Sequence, residues 1–365
     1  MQKEYNLNKL FKEVNYMTYR NTFAEINLEN IKYNIQTIIK DFKNYKYYIG
    51  VVKADCYGHN SNEVVKAIID GGCNYLAVSS LDEALVIRKD FDIPILCLGI
   101  IDSKYINVCE ENNIDVTITN LKYVNEIKNH NINVHIKVDT GMNRLGVKDK
   151  DEFNLMYSTI TNSNLHLQGI FTHIYNADNE SDTMAQIDKF KHITSDINLS
   201  KIEMVHIAQS DTLLDYPKID FCNGCRLGII MYGFTNKNLE LKDTISLCSE
   251  VIEIRKIKKG ETVGYNALYK AEKDELIATV SIGYADGINR KLTGAYVYIN
   301  DKEYQIVGNI CMDMLMIKVD ENVKIHDCVY IYKNREHIKY LSNYLGTIPY
   351  ELICDISKRV PRKYI

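Results

Sequence analysis

The chain has 365 residues, roughly two domains' worth of sequence, and enough to bury a large core without disulfide staples. Hydrophobic residues make up 46% and charged residues 25%, and 4 Pro with 18 Gly leave no room for a collagenous or long disordered segment. Lys+Arg 44 against Asp+Glu 48 gives a formal net charge of -4, so no overall field recruits nucleic acid or an anionic membrane, and the expected partner is a small molecule.

The first 18 residues place Leu7, Leu10, Phe11 and Val14 at helical spacing, which predicts one amphipathic leader helix. This stretch carries Lys and Glu where a signal peptide needs an apolar core, so cytoplasmic residence is expected. The longest uninterrupted apolar run, Pro94 to Ile101, is far short of the ~20 residues that cross a bilayer.

From about residue 47 to 235 the chain repeats a short β-branched apolar run followed by a stretch of helical period. The runs are Ile49 to Lys53, Tyr75 to Val78, Ile95 to Gly99, Asp115 to Thr119, Val134 to Asp139, Gly169 to His173, Met204 to Ala208 and Ile219 to Arg226, with Gly228 to Tyr232 a rival for the eighth. Strands that are apolar throughout are buried on both faces of a parallel sheet. Eight such units predict an α/β fold of the (β/α)8 TIM-barrel type spanning residues 19–244.

After residue 245 the period changes to two, with runs at Val251 to Ile257, Glu275 to Ile282, Tyr296 to Ile299, Tyr304 to Ile310, Leu315 to Val319 and Cys328 to Tyr332. Polar turns such as Asn300-Asp301 separate them, which predicts a mostly β C-terminal domain over 245–365, ending in a helical segment from Glu336 to Ser357. Most of the ten cysteines sit inside apolar runs, as reduced core thiols do. Cys222-Asn-Gly-Cys225 has metal-ligand or redox spacing but no second pair to complete a tetrahedral site, so no metal is expected.

The reactive side chains fall where the barrel strands end. Lys53, Asp139 with Arg144 beyond it, His173, Ser210 and Arg226 each close a strand or open the following loop, the edge at which barrel active sites are built. An amine at that edge, flanked by Val51 and Val52, is a candidate to bind an aldehyde such as pyridoxal phosphate. On the residues alone, a structural salt bridge is the competing reading for Lys53. Ser210 and Gly228-Ile229, after strands seven and eight, are placed to receive a phosphate.

Taken together and in order, several segments resemble the bacterial alanine racemase family, whose members depend on pyridoxal phosphate. They are Val51 to His59, Lys137 to Gly146, Thr172-His173, Arg226 to Gly233, Val263-Gly264-Tyr265, Ile277 to Gly287, Val307 to Met314, and Pro349-Tyr350-Glu351 with Arg359 to Arg362. The resemblance implies that Lys53 binds the cofactor and serves as base on one face of the substrate, with Tyr265 as base on the other. It implies that Arg226 faces the pyridine nitrogen and that His173 pairs with Arg226 to favour the Tyr265 phenolate. Arg144 corresponds to the residue that meets the cofactor's phenolic oxygen and the substrate carboxylate. Tyr57, Ser210, Gly228, Ile229 and Tyr350 correspond to the phosphate-holding positions, and Tyr284, Met312 and Asp313 to the substrate side. Lys137 matches a position carbamylated in some members; an unmodified, salt-bridged lysine is the alternative.

The implied assembly is a homodimer in which each β domain completes the partner's site, and the implied reaction is interconversion of L- and D-alanine for peptidoglycan. Alternatives are a serine or broad-specificity racemase, including the soluble half of a membrane-anchored resistance enzyme, and a non-catalytic pyridoxal phosphate carrier. Tyr350 favours alanine by narrowing the pocket. Departures from the family pattern are Gln209 and Asp211 around Ser210, Leu227 after Arg226, Asn60 after His59, and Asn309 where an Arg is common.

Overall fold

The computed structural model describes residues 19–42, 44–60 and 62–365, and the helix expected at 1–18 lies outside them. The chain forms two compact units. One comprises 25–246, 334–356 and 362–365, and the other comprises 247–333 and 357–361 with the described residues 19–24. A single cut at residue 245 therefore marks where the fold changes along the chain, while the late helices group with the barrel. Their sequences explain this. Helices Arg335–Leu345 and Pro349–Cys354 bury Ile338, Leu341, Leu352 and Ile353 on one side, and Arg335 donates to the carbonyls of Gly233 and Leu241 in the barrel unit.

Strand β1 (Phe23–Ile26), which straddles the division between the units, and helix Leu28–Asp41 precede the eight parallel strands of the barrel unit. These are β2 (Tyr47–Val51), β3 (Tyr75–Val78), β4 (Ile95–Cys97), β5 (Ile114–Ile118), β6 (Asn133–Lys137), β7 (His166–Phe171), β8 (Met204–His206) and β9 (Gly224–Leu227). They close on themselves because β2 pairs on both sides: Ile49 lies opposite Tyr75 in β3 and opposite Arg226 in β9. The eighth strand is shorter than the Ile219 to Arg226 expectation. Cys222 N–H turns back to the Ile219 carbonyl, and the Asn223 side chain accepts from Val205 N–H, so this stretch is a turn before β9. Its rival, Ile229–Tyr232, is a single 3-10 turn.

The connecting helices start where polar side chains satisfy their free N–H groups. Asn27, Ser80, Asn120, Asp149, Asn179 and Asn334 each accept from the backbone N–H three residues on, so part of the chain's asparagine content is used as caps.

The second unit is antiparallel. It contains β10 (Ile245–Ile257, of which residues from 247 onward belong here), β11 (Thr262–Val263), β12 (Tyr269–Lys270), β13 (Glu275–Val280), β14 (Tyr296–Ile299), β15 (Lys302–Gln305), β16 (Leu315–Val319) and β17 (Cys328–Tyr332). β10 pairs with β13 and β17, β13 with β16, and β14 with β15 and β17. Alternation buries one face, as in β16, where Leu315, Ile317 and Val319 point inward. Asn300 and Asp301, both at positive φ, form the tight β14–β15 hairpin expected of that pair.

Candidate active site

Lys53 follows β2 by one residue, Val52, and the chain then makes an unusual turn. Ala54, Asp55, Cys56 and Tyr57 all have φ near +50° (52 to 54°), a left-handed run that costs non-glycine residues about 1–2 kcal/mol each. Surrounding groups hold it. Glu83 accepts from Ala54 N–H at 2.7 Å and from the N–H and hydroxyl of Ser79 at 2.8 and 2.9 Å. Gly58 closes the turn at φ +77°, its carbonyl accepting from Arg362, and a Cβ there would lie 1.9 Å from the Ile353 carbonyl oxygen. The turn fixes Lys53 and Tyr57 on the rim of the barrel.

That rim surrounds a cavity of about 630 Å³. Ten of the residues singled out from the sequence line it: Lys53, Tyr57, Lys137, Arg144, His173, Ser210, Arg226, Gly228, Ile229 and Tyr350. Burial and the neighbouring Arg144 lower the Lys53 amine from its ordinary basicity, and burial with Arg144 and Arg226 brings Lys137 down to about 8. Among the described residues, none of Lys53, Lys137, Arg144 and Arg226 has a carboxylate within ion-pair distance. A cavity with four cations and no paired anion is built to receive anionic ligand groups.

Arg226 is the most constrained of these. Its Nη1 donates to His206 Nδ1 at 2.7 Å and the His206 carbonyl at 2.9 Å, and its Nη2 to the carbonyls of Thr172 (2.8 Å) and Ile207 (3.0 Å). The expected partner, His173, is 3.5 Å away and so contributes less than His206. The Nε–H of Arg226 has no partner among the described residues, leaving one donor of a fixed guanidinium available in the cavity lining. Burial lowers the guanidinium to about 10, still a cation at neutral pH. His173 is held neutral, at about 3, by burial and the same cations.

At the opposite end, Ser210 Oγ accepts from Gly228 N–H at 3.2 Å. A Cβ on Gly228 would stand 3.3 Å from Tyr57 Oη and 3.5 Å from Ser210 Oγ, so the missing side chain opens a small cradle lined by two hydroxyls. Tyr350 packs against Tyr57 with ring centroids 6.0 Å apart. Asp211, the departure beside Ser210, is half-buried with its carboxyl pushed up by burial.

Tyr265, Tyr284, Met312 and Asp313 belong to the second unit, and the cavity-lining residues all come from the barrel unit. The second unit gathers its own cluster. Tyr284 N–H and Ala285 N–H donate to the carbonyls of Cys311 and Met312, and Asp313 is held by Arg359 at 2.7 Å. Asn309 donates to the Tyr265 carbonyl at 2.8 Å, with the Tyr265 side chain 69% exposed.

Sequence reading missed Glu83, Phe171 and His206, and the buried groups behind His206. Phe171 stacks on His206 at 4.6 Å and takes the cations of Lys137 and Arg226 on its ring at 5.6 and 5.5 Å. The available signal was an ionisable residue inside an apolar barrel strand, where its burial needs a reason, and His206 is one.

A closed parallel barrel with a basicity-lowered lysine, a fixed guanidinium and a hydroxyl-lined cradle at its mouth defines an enzyme that works on an anionic, amine-reactive ligand. Models of the alanine racemase N-terminal and C-terminal domains match residues 26–236 and 244–364. Alanine racemase 1 of Bacillus subtilis (strain 168) is 37% identical over 369 residues, covering 95% of this chain and 94% of that protein. The alanine racemase of Clostridium tetani is 36% identical, covering 95% and 96%. The crystal structure of alanine racemase from Bacillus anthracis with bound L-Ala-P superposes with a TM-score of 0.89 at 33% identity, covering 95% and 96%. This chain belongs to the alanine racemase family, and it is a racemase-type isomerase. The match to the C-terminal domain disfavours the non-catalytic carrier reading.

Proposed function

We propose that this chain is a pyridoxal-phosphate-dependent alanine racemase, acting in the cytoplasm as a homodimer and supplying D-alanine for peptidoglycan. The observation that carries the reading is the lining of one cavity by Lys53, Arg226 and the Ser210–Gly228 cradle in a chain alike along 95% of its length to alanine racemases. The residues fit the cofactor. The cradle and its two hydroxyls suit a phosphate, the free Nε–H of Arg226 suits a ring nitrogen, and Lys53 is an amine of lowered basicity. Tyr57, Ser210, Gly228, Ile229 and Tyr350 would hold the phosphate, and Arg144 and His173 would complete the pocket. When bound, pyridoxal phosphate supplies the electron sink that makes loss of an amino acid's α-hydrogen feasible.

The chain's own residues then have defined tasks. Lys53 Nζ, whose basicity burial and Arg144 lower, takes or returns the α-proton on one face. Inversion needs a second base on the opposite face, and Tyr265 Oη is assigned that role. Because Arg226 keeps its proton at neutral pH, it would donate to a ring nitrogen without protonating it, which would limit charge delocalisation and side reactions. Arg144, unpaired at the rim, and Met312 and Asp313 receive the substrate. The exposure of Tyr265, Tyr284 and Met312 (69, 42 and 53%) leaves them accessible to a second copy, and exposed aromatic and Met side chains suit a subunit interface. No helix among the described residues is long and apolar enough to cross a membrane, and no nucleic acid partner is proposed.

The test is to incubate cofactor-saturated protein separately with L-alanine and L-serine and to follow each D-enantiomer by chiral chromatography. Faster conversion of alanine is expected. Faster conversion of serine would move the chain to the serine-selective racemases, and conversion of neither would overturn the assignment.

A further inference from the structure

The barrel interior holds a set of ionisable groups that the reaction above does not use. Tyr75 on β3, Asp115 on β5, His135 on β6 and His206 on β8 are all buried, with 3% or less exposure. They make a connected series ending at Arg226. Arg226 Nη1 donates to His206 Nδ1 (2.7 Å), His206 Nε2 lies 3.3 Å from His135 Nδ1, and His135 Nε2 lies 3.4 Å from Asp115 Oδ2. The Tyr75 hydroxyl donates to the same carboxylate oxygen and sits 3.5 Å from His135 Nε2, while Asn133 Nδ2 donates to Asp115 Oδ1 at 3.1 Å.

The fold makes room for this series deliberately. The β6–β7 ladder slips between Val134 and His135, and Gly169 stands beside His135, where a Cβ would come within 2.3 Å of His135 Nδ1. A barrel interior is ordinarily filled by Val, Ile and Leu. Here the corresponding layer is polar and aromatic, with His135 and His206 edge-to-face at 5.4 Å and His206 stacked on Phe171.

Proton bookkeeping along the series admits one arrangement. A guanidinium has no acceptor, so His206 Nδ1 must carry a lone pair and a neutral His206 must carry its proton on Nε2. That proton is donated to His135 Nδ1, which must then also be a lone pair, placing the His135 proton on Nε2, toward Asp115. If His135 were protonated on both nitrogens, His206 Nε2 would have to accept, and His206 would lose its last proton. Burial and Arg226 hold His206 well below the usual imidazole range, in keeping with a neutral ring. The polarity therefore runs in one direction, from a buried cation with no carboxylate of its own to a buried carboxylate, through two neutral imidazoles.

We infer that Asp115 is a positioning residue for Arg226: acting through His135, it locks His206 in the Nε2–H tautomer that presents a lone pair to the guanidinium. The inference rests on the reading of Arg226 as the residue facing the cofactor ring, but only for its catalytic consequence. Without the carboxylate, His135 can carry its proton on Nδ1 and face His206 Nε2–H donor to donor, leaving the Arg226 contact alone to hold the His206 tautomer. A His206 that changes to its Nδ1–H form confronts Arg226 donor to donor, and the guanidinium loses its shortest hydrogen bond.

A neutron structure of the deuterium-exchanged holoenzyme tests the lock directly, with deuterium expected on Nε2 and absent from Nδ1 of both His135 and His206. Deuterium on Nδ1 of either ring overturns the inference whether or not any variant folds. In Asp115→Asn, kcat is expected to fall by about tenfold, the scale seen when a group orienting a functional histidine is removed, with KM changed far less. Correct tautomers together with a kcat within about twofold of the parent would reduce the series to a structural role and overturn the positioning assignment. The neutron result needs no turnover, so failure of the tautomer lock and failure of the racemase reading are separable.

Discussion

Removing one hydroxyl distinguishes a phosphate cradle from an ordinary polar contact. In Ser210→Ala, Gly228 N–H loses its 3.2 Å acceptor within the protein, while Gly228 itself, Tyr57 and the backbone of helix Ser210–Asp215 are untouched. Without ligand, the loss is that of a neutral hydrogen bond, about 0.5–1.5 kcal/mol of stability. With a phosphate in the cradle the hydroxyl serves as a donor to a charged oxygen, a bond of about 1.5–3 kcal/mol, which corresponds to roughly tenfold to 150-fold weaker cofactor binding. The assay is titration of the ligand-free protein with pyridoxal phosphate, followed by its absorbance, beside racemisation at saturating cofactor. The expected outcome is a raised Kd with kcat nearly unchanged, because Ser210 contacts no reacting atom. An unchanged Kd would refute the cradle, and a collapse of kcat at saturating cofactor would show that Ser210 acts elsewhere.

The remaining expectations concern charge and assembly. Asp211 has its carboxyl raised by burial, so it is neutral at low pH and becomes an anion as pH rises through that raised value; cofactor affinity should weaken over the same interval, and Asp211→Asn should flatten the dependence in the same titration. His59, buried between Thr244 Oγ1 (2.8 Å) and the Tyr57 carbonyl (3.1 Å), is lowered to about 4. The unfolded chain then binds a proton below pH ~6.5 that the folded chain refuses, so stability present above that pH is lost as pH falls, by about 2 kcal/mol at pH ~5 from this group alone. Urea denaturation across that interval measures it, with a smaller slope expected for His59→Gln. Mixing the inactive variants Lys53→Ala and Tyr265→Phe should restore roughly a quarter of the parent activity, because half of the reassorted dimers keep one intact site of two when the bases come from different copies. No recovery after verified subunit exchange would place both bases in one chain.

Lys53 and the strand-end residues were legible because their signal is local: an ionisable residue next to a β-branched run is visible in five residues of sequence. Arg226 was legible only in part. Its position at a strand end could be read, but its principal partner, His206, lies twenty residues away in a three-residue strand, and their meeting depends on the register that closes β8, β9 and β2 into a barrel. The eighth strand's start was misplaced for a related reason. Ile219 through Cys222 has strand-like composition, yet Cys222 N–H turns back to the Ile219 carbonyl, and only from Asn223, whose side chain and N–H both bond to Val205, does the chain join the barrel ladder. The late helices read correctly as helices; which unit their apolar faces joined depended on the carbonyls of Gly233 and Leu241, which no periodicity reveals.

The polar barrel interior follows from what Arg226 needs. A guanidinium almost wholly removed from water costs several kcal/mol unless its donors are met and its charge is answered. Three carbonyls and His206 meet four of its five N–H groups without neutralising it, which leaves it a cation with one donor still free. A carboxylate placed directly against it would take that donor and cancel the charge. Placing Asp115 two imidazoles away answers the charge while keeping Nε–H available at the cavity, at the expense of filling the barrel with groups that must all be hydrogen-bonded. Replacing His135 and His206 with leucines should therefore cost more than lost packing, because it would strand Arg226 and Asp115 as separate buried charges.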